Sequence, residues 1–557
     1  MRAFVLLLLL ALAIPPGATG VSSGPHVTRD AMPVVIPGSA LGDLAAPASY
    51  VERPPAPMQD EQQDGLWLPL PAAVNASGTP VNDIVAYRWD GAAFAPIVSQ
   101  VDERFYRYLT NYASGFGVYS QSDLELTYAF DVEGTRRTAD APGSPGVAAL
   151  ADPARPTTPD PIAGLDTDDE VVVLWADLAG RAPAHAGLVE VPVTDPLSRE
   201  TRYAYVGQGA APAFAPLVRY QRDADADVFV QSNHGSYGGA PGGLCVDGDG
   251  VDAAVGALHA CDHRRPKDSA TVTAQSYRFH YAGRWKMDGI EVAEGAGWSD
   301  SLVDRWKGRA FQQREGNAAD VGGFEDENDW TKSSVTLGER AGPIRVLRET
   351  WGADSGTDVT RLETFYPTFY TQTYHLRVHP IPPDGLYAFW DNKQGMVDTF
   401  YSPLRPEGVP IDGADDEAYG FNSEWQQDFL GKPYFTVDVP EPTLQPLAAN
   451  EDWDEVAGPH GSLVTYIHAD RPEAGVLMPY YRDDASFDDG TGHEAGSFGA
   501  HGIHFFGTVD TDNAFLPVPT DEYVAVVTQH VLPGRAGNVG DEAAALERAP
   551  LIVGAGA

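Results

Sequence analysis

The chain has 557 residues, a formal net charge of −42 and two cysteines. Acidity on that scale repels nucleic acid and anionic membranes, so no nucleic-acid partner is expected, and an anionic polysaccharide would need a local arginine cluster to bind. The length exceeds one compact domain, and two or three are expected.

Residues 1–20, MRAFVLLLLLALAIPPGATG, carry one arginine, an unbroken apolar run and small residues before Gly20. This is the pattern of a secretory signal peptide, which predicts a secreted protein, extracellular or periplasmic. The run is short for a bilayer, and no later stretch reaches about 18 apolar residues, so no stable membrane insertion is expected after cleavage. Residues 21–65 are rich in proline, alanine and glycine and read as an extended leader or linker. Asn75 heads a weak glycosylation match, "NAS".

From residue 66 the pattern becomes strand and turn. "DIVAYRWDGAAFAPIVSQVD" reads as two short strands around an Asp-Gly turn. "DDEVVVLWADLAG" reads as a buried strand, and "GLVEVPVTDPLSRETRYAYVG" as strand, Asp-Pro turn and strand. This first domain, a β-sandwich, is bounded at 66–211. A larger β-rich domain is expected over 212–540, with a C-terminal tail over 541–557. Within the larger domain, "SSVTLGERAGPIRVLRETWGADSGTDVTRLETFYPTFYTQTYHLRVHPI" reads as three consecutive antiparallel strands. Only "DSLVDRWKGRAFQQREG" and "DEAAALERA" look helical. Runs of strands with little helix predict an all-β protein (minor helix) of antiparallel β-sandwich domains, with a supersandwich of two broad sheets as the candidate arrangement for the larger.

Cys245 and Cys261 lie sixteen positions apart. In an exported protein such a pair reads as a disulfide, worth about 3 kcal/mol by loop closure. Between them, Asp247, Asp249 and Asp252 alternate with glycine in "CVDGDGVD", so their carboxylates could converge on calcium, the expected cofactor if there is one. A plain acidic hairpin is the competing reading, because the spacing departs from the EF-hand loop. The overall acidity has the same two readings, a solvated face or calcium binding.

"TFYTQTYHLRVHP" alternates. Tyr370, Gln372 and Tyr374 fall on one face, and Thr371, Thr373, His375, Arg377 and His379 on the other. The second row could bond sugar hydroxyls or a carboxylate, or simply face water. "HEAGSFGAHGIHFF" concentrates His493, Glu494, His501 and His504. The spacing fits no zinc signature, and an odd separation on a strand sends His501 and His504 to opposite faces. A glycine-rich loop entering a strand is the favoured reading; a metal site would need Glu494 or Asp510 as a third ligand. Tryptophans sit beside acids and amides, as Trp390 in "AFWDN" and Trp425 in "NSEWQQD". Aromatic faces with polar edges hold sugar rings by stacking and hydroxyl bonds.

These readings converge on a secreted protein that binds or acts on carbohydrate. If it is an enzyme, a glycoside hydrolase or polysaccharide lyase, the candidates are His375, Arg377 and His501, with Glu363 or Glu494 as carboxylate. Thr371, Thr373, His379, Trp390 and Trp425 would bind substrate. Two alternatives stand beside this: a non-enzymatic, calcium-stabilised surface or adhesion protein, and a metal-dependent hydrolase using the His493–His504 cluster. The chain carries no P-loop and no dinucleotide glycine pattern after a strand.

Overall fold

The computed structural model describes residues 25–48, 51–52, 77–108, 124–133, 139–140, 160, 162–184, 187–226, 229–233, 251–252, 257–258, 262–310, 325–327, 330–331, 334–351, 359–376, 386–414, 423–427, 433–437, 452–469, 476–488, 495–506 and 523–556. They form an all-β protein of antiparallel sheets. Among them, no helix is long and apolar enough to cross a membrane.

The first sandwich pairs a three-stranded sheet (Pro33–Pro37, Glu170–Leu174, Gln100–Asp102) with a five-stranded one. The second sheet runs Ile552–Val553, Val189–Thr194, Thr201–Gln208, Ile84–Trp89, Phe94–Pro96. Their inward residues, among them Val34, Ile36, Ile84, Val171, Val173, Val191 and Val206, make one core. The Asp-Gly hairpin forms as its sequence suggests. Gly91 takes a φ of 101°, and the Asp90 carboxylate accepts the amides of Ala92 and Ala93 at 2.8 Å each.

Two elements of this sandwich come from stretches expected to be leader and tail. Pro33–Pro37 is a strand because Val34 and Ile36 alternate into the core, a period-two signal hidden among prolines. Ile552–Val553 adds to Val189–Thr194, returning the chain end to the first sandwich.

In the larger sandwich a ten-stranded sheet runs Arg405–Pro410, Thr399–Ser402, Trp453–Ala457, Gly461–Ala469, Tyr523–Pro533, Phe369–Leu376, Val359–Phe365, Val346–Trp351, Val335–Ala341, Val132–Glu133. Two five-stranded sheets pack on its inner face. One contains Ala270–Thr273, Tyr277–Tyr281 and Met287–Glu294, and the other contains Val303–Ala310, Leu386–Asn392, Val476–Asp488 and Ala495–Phe506. Rings interlock across the gap: Phe279 meets Tyr370 at 4.7 Å and Tyr370 meets Trp390 at 6.3 Å, both edge-on. The stretch expected as three strands is four: Val335–Ala341, Val346–Trp351, Val359–Phe365 and Phe369–Leu376.

Val303–Ala310 is a strand where a helix was expected. Both of its faces are buried. Trp306 packs into the core beside Trp285 and Trp330, while Arg305 and Lys307 pair with Glu327 and Asp391. Buried ion pairs supplied the polar spacing that imitates the solvated face of a helix. The helix expected around "DEAAALERA" does form, as Gly540–Arg548. It covers one end of the ten-stranded sheet through Ala544 on Trp453 and Tyr466, and its Asp541 accepts the Trp453 indole N–H at 3.0 Å. Gly540 permits the approach, since a Cβ there would stand 2.0 Å from the Trp453 ring.

Candidate binding cleft at the junction of the two sandwiches

The sandwiches meet on a buried charged cluster. Gln100 and Asp102 come from the edge strand of the three-stranded sheet, and Glu170 from its centre. Arg340 and Arg345 flank the turn between Val335–Ala341 and Val346–Trp351. Arg345 donates to Asp102 at 2.9 Å, to the Tyr366 hydroxyl at 3.1 Å, and to Glu170. Arg340 donates to Asp102 at 2.5 Å and to Asp131 at 2.7 Å. Burial opposes the ionisation of Asp102, but the two guanidiniums outweigh it and hold its pKa below the usual carboxylate range. Gln100 completes the arrangement. Its amide donates to both Asp102 oxygens at 2.9 and 3.0 Å, and its carbonyl accepts the backbone N–H groups of Ile344 and Arg345 at 3.0 and 2.9 Å.

Beside this cluster lies a cleft of about 690 Å³. Val85, Ile97 and Ser99 of the first sandwich form one wall, and Val218 to Gln221 with the 341–343 turn form the other. The connecting segment crosses the cleft with Pro212, Phe214 and Pro216, anchored where the Leu217 amide donates to the Pro343 carbonyl at 2.8 Å. Phe214 is 36% exposed, an aromatic ring left open on a proline-rich crossing. Tyr220 supplies a second ring, and Ser99, Arg219 and Gln221 supply polar edges. Clefts of this size at domain junctions, apolar with a few polar groups, are the usual form of a small-ligand site. Among the described lining residues there is no carboxylate, imidazole or thiol, and Arg219 is the one charged group. The arrangement can stack and hydrogen-bond a ligand, and it offers no proton-transfer pair.

The residues expected to form a site are divided by the sheets. Glu363, Trp390 and His501 point into the large core and are essentially inaccessible. Glu363 accepts from Arg348 at 2.7 Å, from the Tyr281 hydroxyl at 2.8 Å and from Gln372 at 3.3 Å. Trp390 and His501 stand opposite each other in register, their rings stacked at 5.8 Å. His501 Nδ1 lies 3.3 Å from both the Gly499 carbonyl and the Asn392 amide, and burial pushes its pKa down to about 4. Thr371, Thr373 and His375 occupy the opposite, outer face of the ten-stranded sheet, half-buried, as strand alternation requires. The structure therefore joins Trp390 with His501, and separates both from the Thr371–His375 row.

Arg377, His379, His493, Glu494, Asp510, Asp247, Asp249, Cys245 and Cys261 lie outside the described residues. So do the side chains of Asp252, Trp425 and His504, whose backbones lie on strands Val251–Asp252, Ser423–Gln427 and Ala495–Phe506. The "GSFGAHGIHFF" run is itself strand from Ala495 onward, rather than a loop entering one at Gly502. Its glycines serve packing. Gly499 has a φ of 61°, and a Cβ on Gly502 would stand 2.3 Å from the Ala388 carbonyl oxygen.

The cleft residues were missed because they straddle the expected domain boundary at 211. The available signal was a lone aromatic, Phe214, within a Pro/Ala-rich connector "APAFAP". Among the described residues, the carboxylates close enough to share an ion are Asp160, Asp166 and Asp169 of the first sandwich. No protein-family model matches this chain, and comparison with curated proteins finds no match either.

Proposed function

We propose that this is a secreted carbohydrate-binding protein and that the junction cleft holds a neutral oligosaccharide. The observation that carries the reading is the pairing of the open Phe214 ring and Tyr220 with the polar edge of Ser99, Arg219 and Gln221 in a 690 Å³ cleft. Sugar rings present an apolar face for stacking and hydroxyls at the rim for hydrogen bonds. A neutral ligand suits a chain of net charge −42 whose cleft offers a single arginine. Binding is favoured over hydrolysis at this cleft, because glycoside hydrolysis calls for a pair of carboxylates and none of the described residues lining it is one.

The test is calorimetric titration of the purified protein with a panel of neutral and acidic oligosaccharides, repeated on Phe214→Ala. Binding of a neutral member, weakened about tenfold in the variant with melting unchanged, supports the reading; tenfold corresponds to about 1.4 kcal/mol, the scale of one aromatic contact. Equal binding by wild type and variant, or none across the panel, overturns it.

A further inference from the structure

We propose that Asp160, Asp166 and Asp169 of the first sandwich form a calcium site. Each offers a carboxylate oxygen, and these atoms all lie within 4.8 Å of one another. The widest such triangle puts its centre about 2.8 Å from each oxygen, so a small inward shift brings all three to a calcium–oxygen distance of about 2.4 Å. The side chains are at least nine-tenths buried: Asp160 is 8% exposed, Asp166 1% and Asp169 0%.

The second observation is an unanswered acceptor. Asp160 Oδ1 accepts the Ile162 amide at 2.5 Å, but its Oδ2 is buried with no hydrogen-bond partner. A buried carboxylate oxygen without a donor is costly, and a cation is the partner that would satisfy it. Among the described residues no ion pair answers the three charges. The guanidinium beside them, Arg104, donates through Nε to the Asp168 backbone carbonyl at 2.6 Å and through Nη1 to Glu170 at 2.8 Å. Asp168 adds a fourth carboxyl group at the rim, and its Oδ1 is likewise buried without a partner.

The donors are held in place before any ion arrives. Asp169 accepts the Arg104 amide at 2.8 Å and the Asp166 amide at 2.7 Å, and Asp166 accepts the Asp168 amide at 3.1 Å. The 166–169 turn is pinned to the N-terminal strand region, where the Gly38 amide donates to the Asp169 carbonyl at 2.8 Å. Gly38 is required there, since a Cβ would stand 1.8 Å from the Asp166 carbonyl oxygen. An all-oxygen, carboxylate-rich set selects a hard divalent cation, and the irregular spacing suits the flexible coordination of calcium better than the strict octahedron of magnesium.

The experiment uses the full secreted chain stripped with EGTA and titrated with CaCl2 by calorimetry, alongside Asp160→Asn and Asp166→Asn. Asparagine keeps the acceptor that bonds Ile162 or Asp168, so each fold is preserved, and circular dichroism checks it. The expected result is one fewer calcium per chain in each variant than in wild type. The wild-type melting temperature should rise on the order of 8 °C when free calcium is about 100 times Kd, with a reduced rise in the variants. MgCl2 should give a smaller shift. Equal stoichiometry and equal calcium response in wild type and variants overturn the proposal. So does an Asp160→Asn variant that melts above wild type in EGTA and in saturating calcium alike, which would mean that the cluster is resolved by protons.

Discussion

Arg345→Met removes a guanidinium that is 3% exposed and keeps most of its volume. Asp102 would keep only Arg340 as an ion-pair partner, and Glu170 only Arg104. Stripping one partner from a buried pair costs about 3–5 kcal/mol. Because each carboxylate keeps a second arginine, the lower end applies, and the lost bond to Tyr366 adds about 1 kcal/mol. A destabilisation of about 3–4 kcal/mol is expected by urea unfolding. Unfolding should also become less cooperative between the sandwiches, because the lost contacts bridge them. The pH dependence has a definite sign. In wild type the Asp102 pKa is held below its unfolded value, so its stabilisation is present above about pH 4 and is lost as pH falls through the folded pKa. In the variant that loss should begin at a higher pH. A double-mutant cycle with Asp102→Asn isolates the pair. Destabilisation under about 1 kcal/mol, or additivity within about 0.5 kcal/mol, would refute the view that these charges lock the junction.

Three further outcomes are expected. Gly342→Ala would put a Cβ 1.9 Å from the Gln100 side chain, displacing the amide that orders Asp102, Ile344 and Arg345; a loss of about 2–3 kcal/mol is expected by denaturant titration, and a neutral result would mean that Gln100 is dispensable. Burial raises Glu455 to about 7 against the opposing backbone N–H bonds, so its contribution to stability is full below about pH 4 and is lost as pH rises through 7, by at most about 3 kcal/mol. Glu455→Gln should therefore gain on wild type between pH 5 and pH 8 in thermal melts, and a constant difference would contradict the assignment. His501, lowered to about 4, should show imidazole carbon shifts that do not move between pH 8 and pH 5; a midpoint near 6.5 would show that the ring reaches solvent.

Period-two alternation made the fold class readable, and it separated Tyr370, Gln372 and Tyr374 from Thr371, Thr373 and His375 with no structure in hand. It failed where both faces of a strand are buried. In Val303–Ala310 the charges Arg305 and Lys307 are interior, and only their partners Glu327 and Asp391, remote in sequence, explain how. Which face of Phe369–Leu376 turns inward depends on the sheet laid against it, so the inward direction of Glu363 and His501 could not be read locally. The cleft depends on two sandwiches meeting, with walls drawn from residues 85–99, 211–221 and 341–343. The acidic cluster shows the same limit. "LDTDDE" reads as turn chemistry, and its meaning changes only when Asp160, five positions before Leu165, folds its carboxylate back onto the turn.

The acidic cluster, the junction and the cleft are one continuous set of contacts. Asp169 accepts the Arg104 amide, and the Arg104 guanidinium holds Glu170. Glu170 and Asp102 hold Arg345, and Gln100 fixes both Asp102 and the turn that carries Gly342 into the cleft wall. Each link is buried or half-buried and short, so a displacement at the cluster has no slack in which to dissipate before it reaches the wall. Coupling between states would need a bistable element, whereas these contacts describe a single arrangement. A cation held by Asp160, Asp166 and Asp169 would therefore act by stiffening. It would relieve the repulsion among the carboxylates and fix the 166–169 turn, and through Arg104 and Glu170 it would narrow the angles the two sandwiches sample. Ligand affinity in the cleft should then depend on calcium through preorganisation, with a modest gain and no change in the ligand preferred.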